Sequence, residues 1–145
     1  MDAAQYSQVD LASEQLDSAL KLFMAKSPRF ASALTLAGAA EEILGKILER
    51  QGKMSAIRHW YFGKADNHTT GGEPIPTWQQ HAFEENFARN VLKHIQDSEI
   101  VTIPFGLEEA AAMMLYRAIT NFEWLGLKKS WRMVKFERWF WNWAT

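Results

Sequence analysis

Three polar side chains sit close together in a run that otherwise favours a helix. They are Arg89, Asn90 and His94, within Phe87-Ala88-Arg89-Asn90-Val91-Leu92-Lys93-His94. A guanidinium is permanently charged and can grip two phosphate oxygens at once, while an imidazole titrates near neutrality. Together they are the groups a phosphate site needs. On an α-helix Arg89 and His94 lie about 140° apart and can bracket a groove, whereas Asn90 and His94 share a face. Two consecutive acids, Glu41 and Glu42, stand in a stretch of small residues. Either could hold the arginine or orient the histidine. The competing arrangement has Glu42 paired with Lys46 at i+4 and Glu41 solvated, with Arg89 and Lys93 an exposed basic edge and His94 a partly buried, hydrogen-bonded histidine.

Other chemistries lack their residues. There is no cysteine, and His59, His68, His81 and His94 fall at no standard ligand spacing, so no metal site is expected. Gly71-Gly72 has neither a strand before it nor the Gly-Lys-Ser/Thr after it that a phosphate-cradling loop requires. No cofactor is expected.

A chain of 145 residues, 48% hydrophobic, corresponds to a single domain over 1–145 with a real core. The net charge of −1 argues against binding nucleic acid through an overall field, though it leaves room for a local phosphate site. The N-terminus, Met1 to Gln5, has no basic start and no apolar run, so it does not read as a signal peptide. No apolar run of about 18 residues is present, so no membrane span is expected. With no cysteine, these features suit a cytoplasmic protein.

The elements that must position these groups are helical, and the pattern predicts an all-α, up-and-down bundle of about four to five helices with an aromatic C-terminal helix. Helix one spans residues 9 to 26, with Leu16, Leu20 and Phe23 on one face. Ser27-Pro28 predicts a cap and a proline at the first position of helix two, which runs to about Gln51 and stops at Gly52. Its small residues mark it as the central helix. Met54 to Phe62 reads as a short helix or turn, and Gly63 to Thr77 as a loop. Thr77 caps a helix from Trp78 to about Ile95, in which Phe83, Phe87, Val91 and Ile95 form an apolar line with the Arg–His motif at its edge. The β-like run Ile100 to Ile103 ends at Pro104. Gly106 opens a further helix with Glu108 and Glu109 in its first turn, and Gly126 closes it. Ala111, Met114, Leu115, Ala118, Ile119, Phe122 and Leu125 are its stripe; Arg117 and Asn121, at i and i+4, could face the same site but are expected to be a solvated pair. Leu127 to Thr145 is basic and aromatic, with four of the chain's 7 tryptophans. Its final turns are apolar nearly all round, which predicts burial against a partner subunit or, failing that, in the chain's own core; docking on a membrane surface and base stacking on the tryptophans are the remaining readings.

The run Arg89-Asn90-x-x-x-His94 resembles the signature of the HEPN family, an arginine followed by a polar residue and, about a helical turn later, a histidine. The Ala39 to Lys46 stretch is similar to the alanine-rich, acid-bearing second helix of that family. The resemblance covers roughly residues 9 to 125; the tryptophan-rich extension and the lack of a fused nucleotidyltransferase-like domain depart from it. It implies a helical bundle that forms a homodimer or higher homo-oligomer, with two motifs meeting across a cleft. It further implies a metal-independent endoribonuclease, RNA as substrate, and an antitoxin-like partner protein as in toxin–antitoxin pairs. In that mechanism His94 is the general acid or base, Arg89 neutralises the phosphorane, Asn90 positions the phosphate or the ring, and Glu41, Glu42 and Lys93 support the site. The alternative is a non-catalytic homo-oligomeric binding or scaffold module with the same fold.

Overall fold

The computed structural model describes residues 5–68, 76–97 and 102–145. The expectations for Met1 to Ala4, for Gly71-Gly72 and for Ile100-Val101 lie outside the described residues. Among the described residues the chain is all-helical. The elements are α1 (Gln8–Phe23), α2 (Phe30–Arg50), α3 (Ala56–His68), α4 (Trp78–Glu85), α5 (Phe87–Lys93), a 3-10 turn (Ile95–Asp97), α6 (Leu107–Trp124) and α7 (Trp131–Ala144). None is long and apolar enough to cross a membrane.

Helix ends follow local chemistry. Ser7 and Asp10 form a reciprocal capping box at α1, and Thr77 and Gln80 form another at α4. Gly52 ends α2 at φ 73°, with the Lys53 amide donating to the Leu48 carbonyl and the Gly52 amide to the Glu49 carbonyl. That is the paired closure of a helix by a left-handed glycine. Gly126, at φ 82°, closes α6 in the same conformation.

The core is built on α2, which packs along α1 on one side and α6 on the other. Leu16, Leu20 and Phe23 of α1 meet Leu34, Ala37 and Leu44 of α2 and Leu115, Ala118 and Ile119 of α6. Alanines at 33, 37, 40, 111, 112 and 118 let these helices approach closely. The third wall is α7, where Met133, Phe136 and Phe140 are buried and Phe136 and Trp139 meet the Phe23 ring edge-on.

Four local expectations are corrected. Pro28 lies before α2 rather than at its first position. The Arg29 amide turns back to the Leu22 carbonyl at 3.1 Å, which holds Arg29 outside the helix. Residues 63–68, read as loop, continue α3, because Gly63 weakens a helix without ending it. The single helix expected from Trp78 to Ile95 is broken at Asn86, which is both the last cap of α4 and the first of α5. With that break the line Phe83–Phe87–Val91–Ile95 no longer faces the core: Phe83 and Ile95 are exposed, and Ala88 and Leu92 pack inward instead. Finally, Arg117 and Asn121 are not solvated but fully buried. Helix α3 packs on that edge of α6, and Glu85 and Asn86 reach Arg117 from the α4–α5 junction, so the buried arc of α6 extends beyond the apolar stripe.

Candidate functional site

The polar centre of the molecule is Glu41, at 4% exposure. Its Oε1 accepts from Arg117 Nη2 at 2.8 Å, and its Oε2 from Arg89 Nη1 at 3.4 Å. Arg117 is held on three sides. Nη2 also donates to Asn86 Oδ1 and Nη1 to the Glu85 carbonyl, both at 2.8 Å. In an unbroken helix the Glu85 carbonyl would serve the Arg89 amide. The interruption at Asn86 therefore delivers two acceptors to a buried guanidinium, a physical reason for the break. Arg117 Nε is buried without a partner among the described residues.

Arg89 reaches Glu41 across α2 at Gly38. A Cβ at residue 38 would lie 2.5 Å from Arg89 Cδ, so the arginine stem occupies the space that glycine leaves. Its second carboxylate, Glu42, is farther, at 3.9 Å. Glu42 also pairs with Lys46 at 3.2 Å, the i+4 bond expected from spacing. Burial alone pushes the Glu42 carboxyl up, but the Lys46 hydrogen bond and the charges of Arg89, Lys46 and Lys93 outweigh it and hold the group below its ordinary value.

Asn121 adds a second buried link one turn along α6. Its Nδ2 donates to the Glu41 carbonyl at 3.2 Å, and its Oδ1 accepts from the Ala56 amide at 2.8 Å. That amide opens α3 and has no acceptor within its own helix. Gly45 admits the contact: a Cβ there would sit 3.3 Å from Asn121 Nδ2. Nearby, Glu49 accepts from Ser55 and from Arg58, whose guanidinium lies over the Trp78 ring at 4.1 Å. These groups surround a cavity of about 200 Å³ lined by three carboxylates and four cations. His81, fully buried between Tyr61 and Trp78, donates through Nε2 to the Ile57 carbonyl at 2.9 Å and so ties α4 to α3. Among the described residues no group of three or more His, Asp or Glu side chains could hold a metal ion.

The residues singled out from the sequence thus separate. Arg89, Glu41 and Glu42 come together, and the solvated Glu41 gives way to a buried one. His94 does not join them. It caps the end of α5, its amide bonded to the Asn90 carbonyl, and it is exposed rather than partly buried. It is absent from the cavity lining. Asn90 is half-buried on the same short helix, and Lys93 is exposed. Arg117 and Asn121 are the functional-looking residues that spacing undervalued. A signal was present: at about 100° per residue, Asn121 falls beside Met114 at the margin of the α6 stripe, with Arg117 next to it. No protein-family model matches this chain, nor does any curated protein or solved structure.

Proposed function

We propose that this chain is a HEPN-like helical protein that acts as a non-catalytic homo-oligomeric binding module in the cytoplasm, with Arg89 a structural cation. The observation that carries this reading is the shared carboxylate: Glu41 accepts from both Arg117 and Arg89, and Glu42 stands behind it. A phosphate approaching Arg89 has to displace two carboxylates, and the imidazole that would complete the chemistry lies outside the cavity. The test is incubation of purified protein with single-stranded RNA in excess chelator. This reading expects no cleavage beyond buffer, and no difference between the parent and His94→Ala. Cleavage by the parent that His94→Ala abolishes, at unchanged helicity, overturns it.

One observation favours the second reading, a metal-independent endoribonuclease of a toxin–antitoxin pair. His94 and Lys93 are exposed at the end of α5, and no side chain among the described residues is bonded to the His94 ring. A second copy of the chain could bring its own α5 opposite, with His94 as acid or base and Arg89 and Asn90 on the phosphate. Glu41 would then release Arg89, whose 3.4 Å contact is the longer of the two. The same RNA assay decides between the readings.

A further inference from the structure

One face of α7 points away from the bundle and carries Trp131, Val134, Lys135, Arg138 and Trp141, all exposed. At about 100° per residue these five fall within an arc of about 120°, opposite the buried Met133, Phe136 and Phe140. Trp131 is 65% exposed and Trp141 51%. Two indoles with Val134 between them on one helix face, all left in water, form a strip of the kind that marks a contact surface. The face contains no acid. Glu137 on its flank is taken by Lys129 at 2.8 Å, whereas Lys135 and Arg138 have no carboxylate partner among the described residues.

We propose that this face docks on an anionic lipid surface, with Trp131 and Trp141 entering the headgroup layer and Lys135 and Arg138 meeting the lipid anions. The two indoles are about 15 Å apart along the helix with the cations between them, an arrangement that engages a plane. Amphipathic indoles favour the boundary between headgroups and acyl chains, and basic side chains add attraction to anionic lipid. Other occupants fit less well. A peptide is received in a groove or at a sheet edge, and the clefts here flank the face without joining its two indoles: one sets Trp131 and Lys135 against Leu20 and Met24, another runs along Val134, Arg138 and Trp141. A second copy related by a two-fold axis presents the same patch, which gathers four cations with no carboxylate between them. Base stacking needs an open ring, but Arg132 already lies over Trp131 at 4.5 Å, with Lys135 at 6.0 Å.

The test is co-sedimentation of the full chain with vesicles of phosphatidylcholine alone and of phosphatidylcholine with phosphatidylserine, at low and high salt, with tryptophan emission read in parallel. Binding is expected to the phosphatidylserine vesicles, weakened by salt and accompanied by a blue shift. Trp131→Ala/Trp141→Ala should lose it, and Lys135→Glu/Arg138→Glu should weaken it roughly tenfold or more while keeping the indoles. Circular dichroism confirms that both variants remain folded. Equal binding to both vesicle types, or to neither, overturns the proposal. So does a homodimer that the tryptophan variant dissociates, or RNA binding that the same variant abolishes.

Discussion

Charge and apolar surface are inverted between two regions of this bundle. Between α2 and α6 it buries Glu41, Arg117 and Asn121, among the most polar side chains available. On α7 it leaves Trp131 and Trp141 in solvent. The buried region is closed: nearly every polar atom has a partner, and glycines at 38 and 45 make the room. Burying a charge is costly unless it is paired and hydrogen-bonded, and here two guanidiniums share one carboxylate while Asn86, Asn121 and the Glu85 carbonyl complete the network. The α7 face is open: Trp141 meets Tyr116 and Phe140 edge-on, and Trp131 lies under Arg132 beside a cleft against Leu20 and Met24, yet both indoles stay more than half exposed. The contrast teaches that this bundle takes charges into its interior where hydrogen-bonding partners meet them, while it leaves two indoles of α7 in water.

The hardest way to break the comparison is to remove the cation that sits deepest. Arg117→Met should leave Glu41 with only the longer Arg89 contact and cost about 3–5 kcal/mol, read by urea unfolding. A loss under about 1 kcal/mol would mean that water enters and the network is not closed. Next is Gly38→Ala. Overpacking against the Arg89 stem should cost about 1–3 kcal/mol, offset by about 1 kcal/mol of better helix propensity. In an Arg89→Ala background the clash is gone, so the same change should become stabilising by up to about 1 kcal/mol; an unchanged sign would remove Arg89 from the Gly38 notch.

Smaller effects sharpen the contrast. Because the Glu42 carboxyl lies below its ordinary value, the folded chain binds that proton less well than the unfolded chain does. Its contribution is present above the ordinary value of 4.5 and is lost as pH falls through the lowered one. Glu42 is about half exposed, so solvent screening limits the effect to under about 1 kcal/mol. Glu42→Gln should therefore flatten the acid limb of a stability–pH curve and leave neutral stability nearly unchanged. The smallest effect belongs to the open region: Trp131→Ala should change stability by no more than about 0.5 kcal/mol. A larger loss in thermal unfolding would show that the indole packs within its own subunit.

The fold was legible wherever one helix decides its own fate. The Thr77 cap, the stops at Gly52 and Gly126, and the central place of the alanine-rich helix all follow from spacing and backbone chemistry. So did the core faces of α1 and α6. The break at Asn86 was not legible, because no proline or glycine marks it; its reason is an arginine more than 30 residues away. Within the candidate site, the pairing of Glu42 with Lys46 was visible at i+4, and the hold of Glu41 on Arg89 was one of the arrangements anticipated. The separation of His94 from Arg89 was not, since it depends on where a short helix ends and which of its sides meets α2.

What the amino-acid sequence determined by itself was therefore most of the helices, the Thr77 cap, the two glycine stops and most of the apolar faces, because these depend on contacts within a few residues. Tertiary structure alone decided which charges are buried. Arg117, Asn121 and Glu41 carry the same side chains in or out of water, and only the meeting of α2, α5 and α6 supplies the partners that make burial affordable.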